Sequence, residues 1–443
     1  MQIRLSDHFS YRRLLRFVFP SIIMMIFTSI YGVVDGLFVS NFVGKTPFAA
    51  INLIMPFLMV LGALGFMLGA GGSALVAQAL GESDRPRALR IFSMLVYVTV
   101  GGGLLLTVVG IALLRPISVW LGAEGALLED CVLYGRIILL ALTAFMLQNL
   151  FQSFLITAEK PTLGLGITVA AGVTNMVLDF LFIAVFEWGL AGAAIATAIS
   201  QVVGGVVPLV YFLHPKNSSL LRLGRCRFDG KAMLKTCTNG SSELMTNLSM
   251  SLVNMVYNFQ LLRLAGENGI AAYGVMMYIS FFFVSIFIGY SIGSAPIISY
   301  HYGAKNTCEL RNLYKKSLLL MVLFGACVTA LSLVLAAPLS RVFVGYDDAL
   351  FALTQRALWI CSFTFLMTGT SIFASSFFTA LGNGAVSAAI SFLRTLLFQI
   401  VSVLLLPLWL GLDGIWLAGV FAEILAILVS MICFRANRKK YGY

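Results

Sequence analysis

Apolar stretches of about 20 residues or more, separated by short polar or glycine-bearing segments, recur from one end of this chain to the other. A helix rising 1.5 Å per residue needs about that many apolar residues to cross a hydrocarbon layer roughly 30 Å thick. Each stretch therefore predicts a membrane-spanning helix. Twelve are predicted, near residues 14–40, 47–80, 90–114, 131–157, 161–186, 189–213, 237–264, 270–301, 312–336, 350–380, 384–410 and 412–435.

The pattern also repeats. Displaced by half its length, the chain matches itself without a gap. Gly44 falls on Gly266 and Gly81 on Gly303; Phe151-Gln152-Ser153 through Thr157-Ala158 falls on Phe373-Ala374-Ser375 through Thr379-Ala380. Gly189-Leu190-Ala191-Gly192 falls on Gly411-Leu412-Asp413-Gly414. Self-similarity on this scale defines the architecture before any motif does. Six spans per copy make the two copies parallel, not inverted. The expected fold is an all-α integral membrane protein of twelve transmembrane helices, in two six-helix lobes related by a tandem parallel repeat. The expected lobes are 1–213 and 236–443, joined by a linker at 214–235 that carries Pro215, Asn217, Ser218, Ser219, Gly224 and Gly230. Chains of this kind carry substrates at the repeat interface by rocking one half against the other. A transporter is expected, not an enzyme.

Composition agrees: 60% hydrophobic and 11% charged residues, with a mean hydropathy of +0.97, are beyond what a soluble domain could cover. The long first apolar run, preceded by a basic stretch, is not the pattern of a cleavable signal peptide. A net charge of +11 raises the question of nucleic acid, and its distribution answers it. Of 29 Lys and Arg, 22 fall on the side shared by both termini and the even-to-odd loops, six (Lys45, Arg115, Arg136, Arg263, Arg341, Arg356) fall opposite, and Arg394 lies within a span. The positive-inside rule then expects both termini in the cytoplasm of a multi-pass plasma or inner membrane protein, with no nucleic-acid partner. The seven cysteines are scattered, and His8, His214 and His301 have no metal-ligand spacing, so filling and loop roles are expected of them. No phosphate-binding loop or catalytic set is evident, and no cofactor is expected.

Ionisable groups inside an apolar span are costly and are functional candidates by default. Four acids qualify: Asp35, Asp179, Glu243 and Glu423. Asp35 lies as far along the chain beyond Arg16 as Asp179 lies beyond Lys160. Both are therefore about 28 Å from the basic boundary, where two carboxylates at one depth can share a proton or a hard cation. Asn175, one helical turn before Asp179, shares its face. Thr197 stands at the same depth on the next helix, and Gln148 and Asn149 add amides nearer the centre. In the second copy the positions of Asp35, Asn175, Asp179 and Thr197 read Tyr257, Leu397, Val401 and Gly419, and that of Asn149 reads Ser371. Polar residues needed only for the scaffold would recur in both copies; these do not. Glu243, two turns beyond Lys235, is expected near the membrane interface as a helix N-terminal charge. Glu423 and Arg394 are a candidate buried pair, and Pro20 permits either a bend in the first helix or an N-terminal turn.

Pro20 with Tyr31-Gly-Val-Val-Asp35, the Gly81 loop, Asn175-Met-Val-Leu-Asp179, Gly192-Ala-Ala-Ile-Ala-Thr197, Pro296-Ile-Ile-Ser-Tyr-His-Tyr-Gly-Ala-Lys305 and Gly414-Ile-Trp416 together carry a resemblance over nearly the whole chain. The sequence resembles the MATE (multidrug and toxic compound extrusion) family, within the multidrug/oligosaccharidyl-lipid/polysaccharide flippase superfamily. It departs from the family where Ala295, and not a glutamine, precedes Pro296. The resemblance implies two lobes around a cleft open to one side at a time, and efflux of organic cations and related drugs against H⁺ or Na⁺. It implies coupling residues at Asp35, Asn149, Asn175, Asp179 and Thr197, with Asp35, Asn175 and Asp179 as ligands if Na⁺ is the ion. Glu243 matches the second-lobe acids of other branches, as a coupling or substrate residue. The expected partners are a drug-like, cationic small molecule and the lipid bilayer, and a two-lobe chain is expected to work as a monomer. The alternatives are a flippase of lipid-linked saccharides, which would need more cavity cations than Arg394 and Arg136, and a passive channel or membrane-bound sensor, which would not need acids in one repeat alone.

Overall fold

The structure, a computed structural model, describes residues 3–43, 45–215 and 217–443. Gly44 and Lys216, which belong to the repeat and to the charge pattern, lie outside the described residues, as does the side chain of Lys45. Among the described residues there is no strand. Helix α1 is Tyr11–Phe42, α2 Lys45–Gly81, α3 Arg85–Trp120, α5 Pro161–Val185 and α6 Gly189–Leu213. Further on, α9 is Thr307–Val344, α11 Gly384–Leu410 and α12 Leu412–Tyr441. Two spans are bent by 52°: α4, made of Gly125–Leu140 and Leu142–Thr157, and α10, made of Asp348–Ser362 and Phe365–Ala380.

The remaining helical stretch, Gly230–Gly303, has 74 residues, roughly 110 Å of helix and far more than one crossing needs. Gly266 divides it with φ 62° and ψ −150°, a conformation essentially restricted to glycine. Helix α7 is therefore 230–265 and α8 is 267–303. All twelve predicted spans are helical. Helix α7 starts at Gly230, because Asp229 Oδ1 accepts the Lys231 and Ala232 amides at 3.0 and 3.1 Å and caps it there.

The repeat is written into the backbone. The bends fall at Ala141 and at Phe363–Thr364; Gly189 and Gly411 both have φ 58°; Ser83 and Lys305 have φ 61° and 54°. The displacement that relates each of these pairs is the one that superposes the two sequence copies. The first lobe has two apolar cores. One, near the basic end, joins α2–α6 and takes in Leu221 and Ala232 beyond them; the other, at the far end, is built around Ile54, Leu114, Tyr134 and Leu139. The second lobe has one continuous core, and it takes in the first half of α1: Leu14, Phe17, Val18, Ile22 and Met24. The second half of α1 packs on α5, where a Cβ on Gly172 would lie 2.5 Å from the Phe27 ring and 2.9 Å from that of Tyr31. One helix thus belongs to both lobes.

Close approaches between the lobes cluster at the basic end. On α8, a Cβ at Gly289 would lie 2.6 Å from Ile22 Cα, and one at Gly293 would lie 3.0 Å from Val18 Cβ. On α2, a Cβ at Gly71 would come within 2.6 Å of the Gly240 amide of α7. Gly81 abuts the carbonyl of Tyr300, and Gly303 abuts the carbonyl of Gln78, a reciprocal contact across the repeat. Small residues allow backbones to approach this closely in lipid.

Candidate transport sites

Two separate sets of ionisable side chains lie within the spans. The first is at the far end of the N-terminal lobe. Helix α1 carries Asp35 and α5 carries Asp179, the last residue before the π-helical segment Phe180–Val185. The two carboxyls interact directly, and the Asn175 amide is beside that of Asp35. Asn175 and Asp179 are buried, and Asp35 is half-buried with its Oδ1 enclosed. Both oxygens of Asp179, Oδ1 of Asp35 and Oδ1 of Asn175 have no hydrogen-bond partner among the described residues, and no cation is paired with either acid there. Two carboxylates and an amide oxygen are hard donors that suit a proton or Na⁺. Among the described residues no three His, Cys, Asp or Glu side chains converge as a metal set.

Asn149 lies on α4 and Thr197 on α6. Asn149 has a buried, unpartnered Nδ2, and its carbonyl would lie 3.0 Å from a Cβ on Gly69. Thr197 is half-buried, and its carbonyl accepts the Ser200 hydroxyl at 2.8 Å. Gln148 sits beside the Tyr31 hydroxyl and, with Gln152 and Thr168, borders a gap of about 10 Å³, room for about one water. Three tyrosines lie near the acids: Tyr31, quoted from the sequence only as part of a motif, and two that sequence reasoning missed, Tyr134 from α4, which feels both carboxyls, and Tyr278 from α8, whose hydroxyl would lie 3.3 Å from a Cβ on Gly36. The signal available was a phenol in an apolar run, which reads equally well as an interfacial aromatic.

The matching place in the second lobe is neutral. There Tyr257 donates to Gln399 Oε1 at 2.9 Å and stacks on Tyr273 at 5.1 Å.

The second set lines a cavity of about 360 Å³ inside the C-terminal lobe, between α7, α8, α10, α11 and α12. Glu243, Arg394 and Glu423 contribute its charge. Glu243 is not at the membrane interface as expected. With α7 starting at Gly230, it lies about 20 Å along the helix, on the cavity wall and not at the helix N-terminus. The Arg394–Glu423 pair does form, Nη1 to Oε1 at 3.8 Å. Pro20 lies well inside an unbroken α1, so it does not mark that helix's start.

The MatE family model matches twice, at residues 20–181 and 244–405, once in each lobe. The chain belongs to the MatE family. Among its relatives is the multidrug export protein MepA of Staphylococcus saprophyticus subsp. saprophyticus, 25% identical over 426 residues, 95% of this chain and 93% of that one. Two solved structures superpose with a TM-score of 0.92 at 23% identity, over 97% of this chain and 96% of each: MATE in complex with MaL6, and an outward-facing multidrug resistance MATE family transporter of the MOP superfamily. These likenesses fix the two-lobe fold. This MatE protein is a multi-pass membrane transporter, not an enzyme.

Proposed function

We propose that the chain is a secondary active antiporter, exporting organic cations or related drugs in exchange for inward-moving H⁺ or Na⁺. The observation that carries this reading is the Asp35–Asp179 pair: enclosed carboxyls with no basic partner among the described residues, present in one copy of the repeat and absent from the other. Such a pair needs a positive charge in order to stay buried in lipid surroundings, and a proton or Na⁺ arriving from outside supplies it. Asn175 orients Asp35; Asn149 and Thr197 flank the path from α4 and α6. The lobes are closed at the basic end, which the charge bias assigns to the cytoplasm.

Helix α1 links ion to drug. Its second half holds Asp35 against α5, and its first half is part of the core of the other lobe. Filling the acid pair moves α1 and with it the lobe contact at Gly289 and Gly293, so the ion and drug sites alternate in access. The C-lobe cavity, with Tyr257, Tyr273 and Met276 on its walls, takes the drug, and Glu243 faces its charge. A flippase is disfavoured because Arg394, the one cation among the described residues lining the cavity, shares it with two glutamates and offers a pyrophosphate no net positive charge.

The test is ethidium export from proteoliposomes under a proton gradient or a sodium gradient, imposed separately, for the wild type and Asp35→Asn. Export driven by one gradient and lost in the variant is expected. Undiminished gradient-driven export by Asp35→Asn would refute the coupling role.

A further inference from the structure

The second lobe carries an ionisable cluster that the first lacks. Carried back onto the first copy of the repeat, Glu243, Arg394 and Glu423 fall on Ser21, Gly172 and Gln201. Nothing larger than hydrogen fits at Gly172, against Phe27 and Tyr31. The three charged residues come from three helices, α7, α11 and α12, onto the wall of one cavity.

Their arrangement is loose for an ion pair. Arg394 Nη1 stands 3.8 Å from Glu423 Oε1, where a charge-assisted hydrogen bond would be about 2.7–2.9 Å. Neither Nη1 nor Glu423 Oε2 has a hydrogen-bond partner among the described residues, although the Glu423 side chain is only 6% exposed. Arg394 also acts electrostatically on Glu243. It sits inside the π-helical segment Leu393–Leu397, a widened turn of the kind that concentrates at functional sites. One arginine therefore spans two acids without closing on Glu423. With all three charged the wall carries a net charge of −1, and the Ser371 and Thr368 side chains stand beside the Glu423 carboxyl.

We propose that Arg394 is the charge selector of this cavity, reserving it for compounds with a single positive charge. The inference rests on the reading that the chain exports organic cations. A monocation neutralises the wall. A dication overshoots it to +1 in a poorly screened site, where one uncompensated charge changes affinity by about tenfold or more. Arg394 is a specificity residue and also a placeholder, occupying part of the acidic field while the cavity is empty.

Ethidium and propidium share a phenanthridinium ring and differ by one positive charge, so their binding ratio reads the selector. Dye binding to purified protein in detergent, without any gradient, is the measurement. Wild type should favour ethidium. Arg394→Gln should shift the ratio toward propidium by about tenfold or more, and Arg394→Lys should stay within about threefold of wild type. Adding Glu423→Gln to Arg394→Gln returns the wall to −1 and should restore the wild-type preference, which a merely structural role for Arg394 would not do. Glu423→Gln alone leaves the wall neutral and should weaken both dyes, propidium more, giving a second test should Arg394→Gln fail to fold. An unchanged ratio in Arg394→Gln, no restoration in the double variant, or no binding of either dye to wild type would each overturn the proposal. Antiport is read separately by gradient-driven export, so dye selection without export refutes the antiport reading and leaves the selector standing.

Discussion

Replacing Asp179 with valine, the residue at the matching position of the second copy (Val401), should separate stability from activity. Asp179 is fully buried, and neither of its carboxylate oxygens has a hydrogen-bond partner among the described residues. A buried acceptor left unsatisfied costs about 1–3 kcal/mol. Valine is close to aspartate in size and removes both oxygens, so the fold should gain about 1–3 kcal/mol, seen as a rise of roughly 2–6 °C in apparent Tm. Asp179→Asn keeps a polar group, and its amide can donate to Asp35, so it should gain less. The assay is the fraction of monodisperse protein surviving a heating series in detergent, run beside ethidium export in vesicles under an imposed gradient. Asp179→Val should be the more heat-resistant protein and should export at background. A valine variant less stable than wild type would show that the carboxyl is satisfied by interactions that keep it in place. One that exports at the wild-type rate would remove Asp179 from coupling.

Three further outcomes follow from the geometry. Gly289→Leu drives a side chain into the backbone of Ser21 and Ile22 and should loosen the closed basic end; labelling of a cysteine placed at Ser299, now fully buried, should rise several-fold while export falls. The N-terminal segment is tied down by Glu309, which accepts the Phe9 amide at 2.9 Å and pairs with His8 at 2.6 Å. Glu309→Ala should therefore cost about 2–3 kcal/mol, and His8→Ala, whose ring is 70% exposed, under about 1 kcal/mol, as read by thermal unfolding. Glu159, between α4 and α5, accepts the Leu5 amide at 2.7 Å, yet burial pushes its carboxyl above its ordinary value of 4.5. The native state then holds a proton that the unfolded chain releases first, so stability falls as pH rises through the interval above 4.5. Glu159→Gln should flatten that slope in Tm measured across the acid range up to neutrality, and an unchanged slope would assign it to other groups.

The fold was legible because lipid imposes a single solution on an apolar run, and the tandem repeat fixed how the runs are grouped. Boundaries were less legible. Cap chemistry at Asp229 outweighs hydropathy and lengthens α7 by two turns, and this is why Glu243, expected as a helix N-terminal charge, stands well inside the helix. The bends at Ala141 and Phe363–Thr364 contain neither proline nor glycine, so nothing in the sequence marks them. Of the candidate site, Asp35, Asn175 and Asp179 were readable because depth along two helices is simple arithmetic. Tyr134 was not, because it comes from a third helix, α4, and a lone phenol does not mark which neighbour its helix faces. The cavity around Arg394 depends on five helices meeting, and no local pattern encodes that.

The reciprocal contact of Gly81 with the Tyr300 carbonyl and of Gly303 with the Gln78 carbonyl is a self-complementary surface: each copy presents to the other the same patch that it receives. Two identical six-helix chains could meet in that way without any covalent connection. The present protein is the covalently joined counterpart of such a dimer, and its connecting segment holds the halves at high effective concentration. Fusion also releases the halves from identity. One was free to acquire an acid pair and the other a guarded cavity, a division of labour that a symmetric dimer of one gene product cannot have.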